Sequence, residues 1–373
     1  MKAVSRNVLI VKLAAVGDVV MALPMVTALR VQDPDVRITW MCGHKVAPLV
    51  RLVEGVAEVV AVDEAAMLAG RTIAQIRAVL RAWRHVQIRH FDAVYIAHSD
   101  ARYRVLAWPI RAESIRWLGG NAGNRGIVPG RAHTDEYVRL VTGLDDFRSQ
   151  TFTPPALRIV LSPNLRRRID AYNPERRPLI AITPGGARNI ARENPLRRWP
   201  LGRYAELADK LHAMGYGVVL TGDRTDGWVR THFRDSSRRV LDLIGATDLP
   251  SLAALLRACA VVVGHDSGPL HIARLVGTPV VALLGPTPPS MFFRPDPRSA
   301  VLWPGGALPC APCYNGHEFA VCGNNVCMQM IECKSVINRL TEVVARAQVD
   351  TPTGALEFGT ERLDFNVVAG ASD

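Results

Sequence analysis

The stretch VVVGHDSGPLHIARLVGTPVVALL, residues 261–284, decides the fold. An apolar run at 261–263 breaks at Gly264, His265 and Asp266, resumes with helical spacing from about Pro269, and returns to an apolar run at 279–284. This reads as strand, loop, helix, strand. Both runs are apolar throughout, as parallel strands covered on both faces must be, and the polar Asp-Ser-Gly-Pro loop falls at the carboxyl end of the first. Ligands of open α/β sheets bind at that end. The helix that follows aims its free N–H groups and positive dipole end into the same crevice, which suits a phosphate.

Outward from this unit, strand and helix alternate along most of the chain. Strands are expected at 7–13, 36–41, 56–62 and 93–97, with a helix at 19–30 and an Arg-rich helix at 72–85. The polar, basic run PNLRRRIDAYNPERRP, residues 163–178, reads as an interdomain boundary. Beyond it, strands at 179–183 and 218–221 and helices at 201–214 and 251–258 lead back to the opening stretch. This pattern predicts an α/β protein with two parallel sheets, each covered by helices, facing a central cleft with their carboxyl ends. The expected division is an N-terminal domain over 1–170, a C-terminal domain over 171–349 and a tail over 350–373.

Composition limits the function classes. The 373 residues are 49% hydrophobic and carry a formal net charge of +11, so the chain can bury two cores and favours an anionic partner. Only 6% of residues are aromatic, and no basic, aromatic-interleaved module is visible, so nucleic acid is not expected as a partner. No apolar run is long enough to span a membrane. The basic, apolar start leads into a turn and helix and reads as a first strand, not a signal peptide, which places the protein in the cytoplasm.

Three motifs carry a family resemblance: NVLIVKLAAVGDVVMALPMVTALR at 7–30, PGGARN with NPLRRWP at 184–200, and GHDSGPLHIARLVGTPVVALLGPTPP at 264–289. Together they resemble glycosyltransferase family 9, the ADP-heptose:lipopolysaccharide heptosyltransferases, over roughly residues 7–340. The resemblance implies a GT-B fold of two Rossmann-like domains, with ADP-heptose held mainly by the C-terminal one and the acceptor by the N-terminal one. It implies inverting transfer of heptose to an acceptor hydroxyl, the acceptor being an anionic glycolipid or another glycan. The site of action would lie on the inner face of the cytoplasmic membrane, with peripheral contact.

The resemblance makes Asp18, at the end of the first strand, the general base that takes the proton of the attacking hydroxyl. Local sequence alone favours a helix cap. On the donor side, Ser267, Gly268 and His271 fit a growing diphosphate charge, and Asp266 fits sugar or ribose hydroxyls. His271 could instead be a packing residue. Thr183, Gly185, Gly186 and Arg188 form a second donor element, its glycines allowing close backbone approach. Arg197 stands where family members carry a phosphate-binding lysine and offers a rigid fork in place of a point charge. Asp223 ends another strand at the same sheet edge and suits a ribose or a turn. Arg102, Arg104 and His133 are acceptor-side candidates.

No Asp-x-Asp motif stands in a suitable place, so no catalytic metal is expected. Five of seven cysteines fall within residues 310–333, and Cys310, Cys313, Cys322 and Cys327 could hold a structural Zn or Fe ion. Reduced packing cysteines or an oxidised pair remain open. The competing classes are a GT-B sugar-nucleotide epimerase, a family member that glycosylates protein, and a non-catalytic metal or redox protein.

Overall fold

Among the described residues eleven strands, all paired in parallel, form two sheets, and in each the strand order reverses direction at one point. In the computed structural model, which describes residues 5–119, 131–144, 153–188, 193–234, 239–314 and 318–349, the first sheet has the order β3-β2-β1-β4-β5. Its strands are β1 (Asn7–Val11), β2 (Arg37–Gly43), β3 (Val56–Val62), β4 (His90–Ile96) and β5 (Arg111–Trp117). The second has the order β11-β10-β9-β6-β7-β8. It comprises β6 (Leu179–Thr183), β7 (Gly217–Leu220), β8 (Val240–Asp242), β9 (Val261–His265), β10 (Val280–Leu283) and β11 (Ala300–Leu302). The expected tail at 350–373 lies outside the described residues.

The central strands are apolar because both faces are covered. Every residue of β6, β9 and β10 is buried, and each such Val, Ile or Leu contributes roughly 1.5–3 kcal/mol. Ile10 of β1 lies opposite Trp40 of β2 and Tyr95 of β4, filling one layer of the first sheet. The two halves share apolar contacts. Val20 and Leu49 join a core built mainly on the second sheet, while Leu249, Leu275 and Phe292 pack onto the core of the first.

Three elements depart from the sequence pattern. The helix expected at 19–30 is two, Val16–Ala22 and Pro24–Gln32, because Pro24 has no N–H to continue the first and suits the first turn of the second. β5, RAESIRW, is an edge strand with four exposed residues and lacks the apolar run that marks a central one. The basic run after 162 carries a helix, Pro163–Tyr172, capped by Ser162, whose Oγ accepts the Leu165 N–H at 3.3 Å. Its Leu165 and Ile169 enter the core beneath β6 and β7.

The point of reversal lies between β1 and β4 in the first sheet and between β6 and β9 in the second. At such points the loops leaving neighbouring strands diverge and open a crevice. The segments leaving β1 and β4 hold Lys12, Asp18 and His98. Those leaving β6 and β9 hold Gly185, Gly186, Asp266 and Ser267.

Candidate active site

On the first sheet, Asp18 is the third residue of the helix Val16–Ala22, and its Oδ2 accepts the Ala15 N–H at 3.2 Å. It therefore closes a helix start and still leaves a third of its side chain exposed. Lys12, 2% exposed at the end of β1, places Nζ 3.8 Å from Asp18 Oδ2 and 5.0 Å from the centre of the Tyr137 ring. Burial pushes the Asp18 carboxyl up, but Lys12, His133, the Ala15 amide and His98 outweigh it and hold the group below the usual carboxylate range.

The two imidazoles are neutral at neutral pH. His98 is pushed down to about 3 by burial and by Lys12, and His133 is lowered by burial despite the Asp18 charge. Lys12 and the Ala15 amide thus keep Asp18 ionised there. The Asp100 N–H donates to His98 Nδ1 at 3.0 Å, which puts the neutral ring's proton on Nε2, and Tyr103 stacks on the ring at 3.9 Å.

On the second sheet, Asp266 is 3% exposed and both of its oxygens are engaged. Arg197 Nη1 lies 3.2 Å from Oδ2, and His271 Nε2 lies 3.4 Å from Oδ1. Burial raises the Asp266 pKa, but the His271 hydrogen bond and Arg197 overcome this and bring it to about 2. Ser267 caps the helix Gly268–Leu275 by position, its Oγ turned back to the His265 carbonyl at 3.1 Å. Pro269 has no N–H, and the Leu270 N–H is bonded to Ser267 O at 3.1 Å, so the Ser267 and Gly268 amides are the donors at this helix start.

The glycine loop is shaped by Asp226, which the sequence pattern does not single out. Its Oδ1 accepts the Gly186 N–H at 2.8 Å and its Oδ2 the Asp223 N–H at 2.9 Å, tying the loops after β6 and β7 together. A Cβ at Gly185 would fall 2.4 Å from Asp226 Cγ, and Gly186 has φ +78°, so both positions require glycine. Arg198 holds the same loop through Gly186 O at 2.7 Å and lies over the Trp228 ring. Arg197 Nε, Thr221 Oγ1, His265 Nε2 and Thr287 Oγ1 are buried without a partner among the described residues. They concentrate unused polar capacity at the carboxyl end of this sheet.

The halves meet at two glycines. Gly17 lies against His271, with a Cβ there reaching 2.8 Å from Cδ2, and Gly268 lies against Val16. Asp18 is thus one residue from the contact with the donor-side helix, and the Phe292 ring meets His133 with centroids 4.8 Å apart.

Several of the expected ligand residues have protein partners in the structure. Asp266 pairs one oxygen with Arg197 and the other with His271. Asp223 caps the turn after β7 through the Thr225 N–H at 2.7 Å and pairs with Lys45 of the first half at 3.1 Å, the turn role that its sequence also allowed. Arg188 pairs with Glu193 at 2.9 Å. Arg102 pairs with Asp100, whose N–H bonds His98, Arg104 lies over Trp117, and His133 acts on Asp18. Thr183 is 2% exposed, its Oγ1 directed to the Val263 carbonyl.

The four-thiolate metal site is not assembled: among the described residues no three His, Cys, Asp or Glu side chains are gathered to hold a metal ion. Cys310 and Cys322 are exposed. The Cys327 thiol faces Asn325 Oδ1, and Cys322 Sγ accepts the Asn325 N–H at 3.3 Å, so Asn325 and a Tyr314–Phe319 bridge organise this loop. Burial and then the neighbouring cysteines push the Cys313 and Cys327 thiols up, so these thiols stand within electrostatic reach of Cys310 and Cys322.

A family model described as glycosyltransferase family 9 (heptosyltransferase) matches residues 130–319. The chain is 26% identical over 304 residues to lipooligosaccharide heptosyltransferase 2 of Haemophilus influenzae, covering 76% of this chain and 84% of that one. It is 37% identical over 135 residues to lipooligosaccharide heptosyltransferase 2 of Haemophilus ducreyi, an alignment that spans only 37% of that relative and 34% of this chain. The structure of Escherichia coli ADP-heptose lps heptosyltransferase II superposes with a TM-score of 0.70 at 20% identity, covering 92% of this chain and 99% of that one. This likeness identifies the two-sheet architecture as GT-B.

Proposed function

Because the chain belongs to glycosyltransferase family 9, we propose that it transfers a heptose from ADP-heptose to a hydroxyl of the lipopolysaccharide inner core, inverting the anomeric carbon. The observation that carries this reading is the pairing of an ionised, partly exposed Asp18 with a donor-ready helix start one residue away across the Gly17–His271 contact. The relatives named heptosyltransferase support the sugar, and the anion-binding chemistry of the second half supports a nucleotide diphosphate donor.

In this reading the acceptor enters from the first half. Its hydroxyl attacks the anomeric carbon while Asp18 accepts the proton, and the glycosidic bond to the diphosphate breaks on the opposite face. Charge then grows on the departing phosphate. The Ser267 and Gly268 amides, Arg197 and His271 are the groups that meet it, held in place beforehand by Asp266. Asp18 is a weak base because Lys12 favours its charged form. Proton transfer is accordingly late, as the hydroxyl acidifies on bonding to carbon. Lys12 and the Ala15 amide hold the carboxylate, and Lys12 does not itself take the proton.

Release of nucleoside diphosphate from a panel of sugar nucleotides, with deacylated inner core as acceptor, tests the reading. ADP release confined to ADP-heptose and dependent on acceptor supports it. Turnover of another donor, or none, sinks it.

A further inference from the structure

The last residue of β9 is a polar one where packing asks for an apolar one. Alternate residues Val261, Val263 and His265 share one face of the strand, and the two valines enter the core built with Tyr204 of the helix Leu201–Ala213. A valine or leucine would complete that row. His265 stands there instead, 0% exposed, with two ring nitrogens to satisfy.

Tyr204 satisfies one of them. Its hydroxyl lies 3.1 Å from His265 Nδ1, and the two rings meet edge-on with centroids 6.3 Å apart. Burial drives the Tyr204 pKa up and that of His265 down to about 3, so at neutral pH the phenol keeps its proton and the imidazole carries one. The His265 backbone lowers the Tyr204 pKa, as an N–H turned to the phenol oxygen does, which leaves the O–H to donate to Nδ1. The imidazole proton is then on Nε2. That nitrogen is buried without a partner among the described residues. A buried N–H left unpaired is costly and calls for a use.

Strand register shows what it faces. Thr183 of β6 pairs with Gly264, so His265 stands level with Pro184 and beside Gly185. The Gly185 backbone raises the His265 pKa, the sense that a carbonyl acceptor gives. From its other side the glycine loop is held by Asp226, through the Gly186 N–H, and by Arg198, through the Gly186 carbonyl. On the β9 side the Gly185 carbonyl is its handle.

We propose that His265 is a positioning residue for the donor: with its tautomer set by Tyr204, its Nε2–H engages the Gly185 carbonyl and fixes the glycine loop against the diphosphate. The identity of the donor rests on the transferase reading above; the tautomer and the loop contact do not. Asp266 follows directly, so one strand end sets the glycine loop on one side and the Arg197–His271 pair on the other.

Gln and Asn separate the two ring nitrogens, because a Gln amide nitrogen reaches the Nε2 position and an Asn nitrogen only that of Nδ1. His265→Asn should weaken ADP binding about tenfold in calorimetry and raise the donor KM equally with kcat little changed, while His265→Gln stays within about threefold of wild type. Equal losses, or Asn outperforming Gln, would mean that His265 serves packing or the Tyr204 bond alone, and either overturns the proposal. The wild type supplies a readout that needs no variant to fold. In nitrogen NMR of histidine-labelled protein at neutral pH, His265 should carry its proton on Nε2, and that proton should move downfield when ADP is added. A proton on Nδ1, or no response to saturating ADP, overturns the proposal. ADP binding with Gln ahead of Asn, but no transfer to inner-core acceptor, overturns the transferase reading and leaves the role of His265 standing.

Discussion

Replacing Gly17 by alanine sets two effects of known sign against each other. Gly17 is the second residue of the helix Val16–Ala22, and alanine there favours the isolated helix by up to about 1 kcal/mol. Its methyl group, however, would stand 2.8 Å from His271 Cδ2, about 1 Å inside ordinary carbon contact. The His271 ring cannot simply retreat: Phe293 stacks on it at 5.0 Å and Asp266 holds its Nε2 at 3.4 Å. Overpacking of this kind costs roughly 1–3 kcal/mol and exceeds the helix gain. The cost falls on the contact between the halves, not on either core. Gly17→Ala should therefore melt near wild type while kcat/KM for donor drops about tenfold, a loss near 1.4 kcal/mol. In a His271→Ala background the same substitution should cost nothing, giving a coupling of about 1–2 kcal/mol in the double-mutant cycle. Additive effects, or a Gly17→Ala enzyme with unchanged donor kinetics, would refute the idea that this contact sets the site.

Three further predictions concern charge. Lys12→Met removes the cation that holds the Asp18 pKa down, so the acid limb of the kcat/KM profile should move to higher pH; an unmoved limb would detach Lys12 from the base. Asp266, at about 2 against an ordinary 3.8, contributes about 2 kcal/mol of stability above the ordinary carboxylate range. That share disappears as pH falls from about 4 toward 2. Arg197→Ala leaves the carboxylate buried with His271 alone; it should lower stability at neutral pH by about 2–4 kcal/mol in urea titrations and start the acid loss at higher pH. Because Asp18 and the donor-side amides supply base and anion stabilisation, exhaustive EDTA treatment should leave transfer unchanged, and a loss restored by added metal would contradict the assigned roles.

How much could be read in the chain follows the range of the interactions. The β9, helix and β10 unit is legible because its strands are buried on both faces and its polar loop is contiguous in sequence. Asp18 is singled out by the family resemblance, since its local sequence at the end of β1 favours a helix cap. Lys12 is not: in sequence it continues an apolar run, and only the fold places it against Asp18 and Tyr137. Asp226 is hidden because it joins loops forty residues apart. Asp223, Arg188 and Arg102 have suitable chemistry for ligands, and the partners that the fold gives them, Lys45, Glu193 and Asp100, are not legible in the motifs. The cysteine spacing suggested a metal, but backbone bonds through Asn325 and Ala320, invisible in spacing, set where the thiols stand.

The central claim is that Asp18 takes the acceptor proton, and a single-turnover comparison of wild type with Asp18→Asn tests it most directly, paired with ADP affinity by calorimetry. The account predicts a rate roughly 10²–10⁴-fold lower, with ADP binding within twofold of wild type, roughly RT ln 2 or less of change. A variant that still transfers heptose at a comparable rate would contradict it.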